Sequence, residues 1–353
     1  EPGENRADRG RGRLPCGAGP DLGQAPHPAA RRVVAHVPAG EEAGLEVIGV
    51  QVTIVGHTQS IGFDNQGNHN IYEQLSMHDG MAIGLWIGNG AHNLVLNCDA
   101  YRNHDNFSGN KRGGNVDGFG YHGRKGSVNN VFRGCRAWFN SDDGFDFINS
   151  AEVATIENCW AFYNGYSPDF APLADGNGFK AGGHAGTPVA RLPNPIPRHV
   201  VRGSVAVRNK ANGFYANHHI GGVEFVHNTA YRNRVNFNLL GREANNTTDI
   251  AGYGHKLKNN LGLAGGSEVA QLNFALSDAS GNYFNLPVTI NAEDFLGLDE
   301  ADLVKPRQPN GDLPDVKFLR LAPTSDAIDR GVEVGMPFKG RAPDLGAFET
   351  GSR

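Results

Sequence analysis

The chain has 353 residues, of which 39% are hydrophobic, and a formal net charge of -5. No run of about 18 or more apolar residues is present to form a membrane helix, and no basic field is present to meet nucleic-acid phosphates, so neither a membrane nor a nucleic acid is an expected partner. Glycine, at 49 residues, is about twice its usual share of roughly 7%, and asparagine is abundant, which together imply many turns.

Residues 1 to about 50, with Arg9-Gly10-Arg11-Gly12-Arg13 and scattered Pro and Ala, show neither strand alternation nor a repeat. They are expected to be disordered or foreign, a mistranslated stretch standing in place of the first coils. No charged-then-apolar signal segment is present at Glu1, so any export signal is expected to be absent from this sequence.

From about Gln51 a repeat becomes legible. Asn97-Cys98-Asp99-Ala100-Tyr101-Arg102-Asn103, Gly134-Cys135-Arg136-Ala137-Trp138-Phe139-Asn140 and Asn158-Cys159-Trp160-Ala161-Phe162-Tyr163-Asn164 share one pattern, and weaker copies end at Asn209 and Asn233. The final Asn residues are spaced by 37, 24, 45 and 24 residues, a base period near 24 with two longer loops. A second column follows: Gly118-Phe119, Gly144-Phe145, Gly178-Phe179, Gly213-Phe214 and Asn236-Phe237. Short β-type runs lie between the columns, at Val128 to Phe132, Val153 to Ile156, Val200 to Val207 and Val223 to Val226, too short for crossover helices. Short strands, a turn-rich period near 24 and no helical pattern predict an all-β parallel β-helix in which each coil lies roughly 4.8 Å above the last. The Asn column is then a ladder of buried amides, and the Phe and Cys columns fill the interior, with Cys16, Cys98, Cys135 and Cys159 free rather than bridged. The helix is expected over 51–280, with 281–353 an irregular segment packing over the last coils.

Aligning coils on the Gly-Phe column brings polar residues together. Asp117 precedes Gly118, Asp142 and Asp143 precede Gly144, Asp146 follows Phe145, and Lys180 follows Phe179 at the position Asp146 holds one coil earlier. Four carboxylates at stacking distance cannot all ionise unless a cation neutralises them. A set of oxygen ligands without His or Cys selects a hard ion, and irregular turn carboxylates suit calcium better than the strict octahedron of magnesium. The alternative for each Asp alone is a turn cap, and for Lys180 a solvated surface amine. The set together argues for a calcium site with Lys180 in a catalytic role. Lys210 and Arg234 each follow a ladder Asn by one residue and are candidate substrate-binding cations, with ordinary surface roles as the alternative. His57, His69, His78, His104, His122, His218 and His219 show no metal-like spacing and are expected in turns or on the surface.

These residues resemble the family 9 polysaccharide lyases. The likeness runs through Asn115-Val116-Asp117-Gly118-Phe119, Trp138-Phe139-Asn140-Ser141-Asp142-Asp143-Gly144-Phe145-Asp146 and Asp175-Gly176-Asn177-Gly178-Phe179-Lys180, within roughly residues 51 to 350. The resemblance implies a right-handed parallel β-helix and a secreted, monomeric pectate lyase. It implies that Asp117, Asp142, Asp143 and Asp146 bind calcium while Lys180 is the base. The implied reaction is β-elimination on polygalacturonate, which leaves a 4,5-unsaturated sugar and has an alkaline optimum. A polygalacturonase-type hydrolase would need paired acid and base carboxylates with water, and leaves Asp146 and Lys180 without work. A non-catalytic sugar-binding β-helix would not need the Asp and Lys cluster.

Overall fold

The structure, a computed structural model, describes residues 46–48, 51–52, 60–107 and 111–351. The expectations for residues 1–45, for Cys16 and for His57 lie outside the described residues. The short apolar runs of the repeat become strands, and the run Val200 to Val207 becomes two, Val200–Arg202 and Val205–Val207, divided by a turn at Gly203 and Ser204. Among the described residues the strands form three parallel sheets of eight, with one antiparallel pair, Leu240–Arg242 with Asp249–Ala251. The first sheet runs from Glu46–Ile48 to Lys256–Lys258, the second from Gln51–Val52 to Leu261–Leu263, and the third from Ser60–Asn65 to Ser267–Ala270. Successive strands enter the three sheets in turn, so the chain winds as a parallel β-helix. Its first strand already pairs with Ile71–Glu73, ahead of the start expected at Gln51.

The pattern of the repeat follows from the corners of the coil. The corner before the second sheet holds Asn97, Gly134, Asn158 and Gly203 at φ of 53°, 65°, 52° and 59°. The corner after it holds Arg102, Phe139, Tyr163 and Arg208 at 54°, 53°, 60° and 47°. Left-handed backbone is costly for a side-chain-bearing residue and must be held by its surroundings. The next residue supplies that hold: Nδ2 of Asn103, Asn140, Asn164 and Asn209 donates to Oδ1 of the Asn one coil on, at 3.0, 3.1, 3.0 and 3.0 Å. Each of the last three also donates to an alanine carbonyl of the preceding coil, Ala100, Ala137 and Ala161.

The Ala and Gly columns are sterically linked to this ladder. A Cβ at Gly144 would lie 2.7 Å from the Gly178 carbonyl oxygen, 2.9 Å from Asn164 Nδ2 and 3.0 Å from the Ala161 Cβ. Only small residues let the third sheet approach the Asn corner. Immediately after the glycines, Phe119, Phe145, Phe179, Phe214 and Phe237 stack at centroid spacings of 4.9, 4.9, 5.0 and 5.0 Å and are fully buried. Each such aromatic pair contributes about 0.5–1.5 kcal/mol beyond its area burial. Cys98, Cys135 and Cys159 are free and buried in the same interior.

The segment after residue 281 takes a longer path than expected. Its end does meet the last coils, where Ala347 N–H donates to Thr229 and Gly346 N–H to the Asn259 carbonyl. Its middle runs back along the second sheet, with Arg136 donating to the carbonyls of Leu303 and Lys305 and Arg307 to those of Cys98 and Gly134. The physical reason is an outward aromatic and aliphatic column, Tyr101, Trp138, Phe162, Val207, Tyr231 and Leu263, in register on that sheet. Left bare it would be a long apolar face; Leu303, Phe318, Leu319 and Leu345 bury much of it.

Candidate active site

The third sheet carries the polar cluster on its outer face. Along one outward column the register partners are Trp86, Gly120, Asp146, Lys180, Tyr215 and Asn238. Asp117 and Asp143 hold the corner position just before the Gly-Phe column, and their turns aim both carboxylates at the same space. Asp117, Asp143 and Asp146 are buried and offer oxygens that all lie within 4.8 Å of one another. Lys180 Nζ stands 3.0 Å from Asp143 Oδ2 and 3.1 Å from Asp146 Oδ2.

A polar ladder aims these groups. Asp117 Oδ1 accepts from the Asp143 N–H at 3.0 Å. Asp143 Oδ1 accepts from both the backbone and the side-chain amide of Asn177 at 2.7 Å, and Asn212 donates to Asn177 Oδ1 at 2.6 Å. The residues before the glycines of four successive coils therefore read Asp, Asp, Asn, Asn, with the amides donating towards Asp143. Its second oxygen, Oδ2, is buried with the Lys180 ammonium close by but outside hydrogen-bond geometry. Asp142 differs from the other three. Its Oδ2 accepts from the Asn115 N–H at 2.5 Å and its Oδ1 from the Asp175 N–H at 2.9 Å. It is engaged in holding two loops and is not among the three carboxylates that converge.

The electrostatics follow from burial and crowding. Burial, and then the charges of Asp146, Asp142 and Asp143, raise Asp117 well above the ordinary carboxylate range. Burial followed by Asp143 pushes Asp142 up to about 7. Burial pushes Asp146 up to about 6, with Lys180 opposing and Asp143 adding. Burial alone would favour the neutral amine of Lys180, but Asp143, Asp146, Asp117 and Asp142 outweigh it and hold the ammonium well above ordinary lysine. A hard cation fits this donor set: three convergent carboxylates, the unsatisfied Asp143 oxygen and no nitrogen or sulfur ligand.

A cavity opens beside Lys180, lined by Ile148, Asp175, Ala185, Asn217, His218 and Arg242. Arg242 sits on the antiparallel pair; its Nε is 3.0 Å from Asp249 Oδ1, which also meets His218 Nδ1 at 2.7 Å. The two cations expected along the groove are placed differently. Lys210 Nζ donates to the carbonyls of Leu173, Ala174 and Asp175, so it staples a loop, and Arg234 is exposed; neither lines the cavity. Of the histidines expected in turns or on the surface, His78, on the strand Ser76–His78, and His219 are instead buried, and His219 donates through Nε2 to the Pro197 carbonyl at 2.7 Å. Arg242 and His218 escaped the repeat because Arg242 lies on the antiparallel pair and His218 in a turn, both outside the repeating coil positions. Asn177 was legible as the Asn that replaces Asp before the third Gly-Phe pair.

Residues 39–249 match a family model described as Pel9A-like, right handed beta helix region, and residues 273–348 one described as rhamnogalacturonan lyase-like, C-terminal. Pectate lyase L of Dickeya chrysanthemi is 37% identical over 305 residues, covering 85% of this chain and 65% of that protein. Pectate lyase L of Paenibacillus polymyxa is 29% identical over 299 residues, covering 76% and 59%. The chain thus spans less than two thirds of the length of these relatives. A solved structure titled rhamnogalacturonan lyase superposes with a TM-score of 0.71 at 47% identity, over 79% of this chain and 69% of that one. The crystal structure of pectate lyase Pel9A superposes with a TM-score of 0.69 at 36% identity, over 86% and 69%.

Proposed function

Because the chain belongs to the Pel9A-like family of right-handed parallel β-helix proteins, we propose that it is a secreted, monomeric polysaccharide lyase that cleaves polygalacturonate by calcium-assisted β-elimination. The observation that carries this reading is the meeting of one lysine with a convergent carboxylate cluster, Lys180 Nζ at 3.0 and 3.1 Å from Asp143 and Asp146. Asp117, Asp143 and Asp146 would hold the calcium, with Asp142 fixing the loops around them. Bound there, calcium would supply the positive charge that binds the uronate carboxylate and acidifies the hydrogen on C5.

Lys180 is the base in this reading. Facing four ionised carboxylates it stays an ammonium and cannot accept a proton. Neutralising those charges leaves burial as the dominant influence, and burial favours the free amine. The amine removes the C5 proton, the electron pair forms the C4–C5 double bond, and the C4–oxygen bond breaks with its electrons on the oxygen, which takes a proton from solvent. No water is consumed, and no second carboxylate is needed as an acid paired across the bond.

A second substrate is favoured by a specific finding. The solved structure titled rhamnogalacturonan lyase is 47% identical, against 36% for Pel9A, and the segment 273–348 also matches a rhamnogalacturonan lyase-like model. The same chemistry serves any polymer that includes such uronates, because each one carries the same acidic C5. The test is incubation with polygalacturonate and with rhamnogalacturonan, each with calcium and with chelator. Calcium-dependent ultraviolet-absorbing product identifies a lyase and its polymer; reducing ends without that absorbance would reject the elimination.

A further inference from the structure

The outward column that carries Asp146 and Lys180 is interrupted one rung earlier by Gly120, and the gap is filled by the neighbour below it. A Cβ at Gly120 would lie 2.4, 2.9 and 3.4 Å from Cε3, Cζ3 and Cδ2 of Trp86. The Trp86 indole therefore lies over the backbone of the next coil instead of standing out from its own. Gly88 helps in the same way, since a Cβ there would be 2.8 Å from Trp86 Nε1. His122 packs against the ring at a centroid distance of 3.9 Å, which fixes its tilt. Leu85 and Ile87, on either side of Trp86, are fully buried, whereas Trp86 is partly exposed. The other two tryptophans, Trp138 and Trp160, belong to the apolar layer beneath the C-terminal segment. Trp86 is thus a fixed aromatic surface on the outer face of the third sheet, two strands, roughly 9.6 Å, from Asp146, with its indole laid over the Gly120 rung between them.

The surroundings of Trp86 differ in charge from the other side of Lys180. Arg242 and His218 line the cavity beyond Lys180, where a carboxylate can be paired. On the Trp86 side the register partner is Asp64, and the next charged group up the column is Asp146. An indole face is apolar and carries negative quadrupole density, so it attracts C–H surfaces of a sugar and repels an anion.

We propose that Trp86 is the platform of a second sugar subsite, next to the unit held at the carboxylate cluster. It selects an uncharged unit with an apolar face, such as a 6-deoxyhexose, over a second uronate. The inference rests on the groove being a polysaccharide-lyase site and names the unit it prefers beside the cleaved one.

The experiment compares wild type, Trp86→Ala, Trp86→Phe and Gly120→Ala on an alternating galacturonate–deoxyhexose polymer and on polygalacturonate. On the alternating polymer Trp86→Ala should raise KM about tenfold or more, the size of a lost stacking contact, with kcat within about threefold. Trp86→Phe should restore most of that loss. Gly120→Ala keeps the indole but displaces it, and should reproduce the KM effect if Trp86→Ala fails to fold. KM on polygalacturonate should change less. An unchanged KM on both polymers overturns the platform, and an equal or larger penalty on polygalacturonate overturns the preference for an uncharged unit. Binding is read independently in Lys180→Ala by tryptophan fluorescence, where alternating oligosaccharides should quench a signal that Lys180→Ala/Trp86→Phe lacks. If wild type makes no unsaturated product from either polymer, the lyase reading fails, and the fluorescence titration alone decides for or against Trp86.

Discussion

Asp146 and Lys180 are register partners on adjacent rungs of the third sheet, and their side chains meet at 3.1 Å. Parallel stacking fixes their separation as firmly as the fold itself, because neither residue can move without slipping a whole strand. The same register that stacks Phe145 on Phe179 in the interior aligns the acid and the amine on the outside. A core mutation that disturbs the Phe column should therefore also misplace the chemistry.

Replacing Lys180 by Ala removes the amine and leaves the carboxylates in place. Elimination should fall by at least roughly 10²–10⁴-fold, the range of a lost general base. Calcium binding, measured by titration calorimetry, should be retained or tightened, since an ammonium that competes for Asp143 and Asp146 is gone. Weakened calcium binding would point to a structural rather than a catalytic lysine.

Asn177 touches no substrate in this reading and acts through Asp143. Two of its N–H groups converge on Asp143 Oδ1, which orients Oδ2 towards the cluster. Asn177→Ala removes one of these donors and should weaken calcium affinity by about 10–100-fold, as is common when an outer partner of a metal ligand is lost. Activity should recover at high calcium, which separates loss of affinity from loss of chemistry.

The carboxylate cluster also predicts how the metal-free protein responds to pH. Asp142 and Asp146 hold protons up to about 7 and about 6 in the folded state, whereas an unfolded Asp releases its proton near 3.8. Between these values the folded state binds more protons than the unfolded one, so its stability falls as pH rises. The midpoint of thermal unfolding with chelator should drop from pH 5 to pH 8, and added calcium should raise it most at the alkaline end. Calcium binding near pH 6 should release protons, visible as a binding enthalpy that depends on the buffer.

Much of this organisation is legible in the sequence because a solenoid writes register directly into spacing. The Phe, Asn and Gly columns each occupy one position per coil, so aligning Gly144-Phe145 with Gly178-Phe179 is enough to bring Asp146 to Lys180. The same logic fails for groups outside the period. Arg242 reaches the cavity on an antiparallel pair, and Lys210 is drawn to the carbonyls of residues 173–175 by an inserted loop whose path no column dictates. Asp142 belongs to a column-adjacent pair, yet backbone amides of Asn115 and Asp175 claim both its oxygens. The C-terminal segment carries no repeat either, so its route along the second sheet follows from the apolar column it covers and not from its own pattern.

That route depends on one largely covered carboxylate, whose side chain is 16% exposed. Asp99 receives Arg136 at 2.8 Å and Arg307 at 2.6 Å, and Arg307 belongs to the returning segment. Burial alone would raise the Asp99 pKa, but the two guanidinium groups outweigh it and hold the carboxyl well below its ordinary value. Stability from this contact is therefore complete above about pH 4 and is lost only as the solution becomes strongly acidic. Asp99→Asn would leave the buried Arg136 and the largely covered Arg307 without their shared counter-charge, at a cost of about 3–5 kcal/mol. Arg136 should keep its bonds to the Leu303 and Lys305 carbonyls, so the segment should loosen before the helix unfolds. Limited proteolysis should then cut within 300–312 at denaturant concentrations that leave the parallel sheets intact. Simultaneous loss of the two would show that the segment and the coils form one cooperative unit.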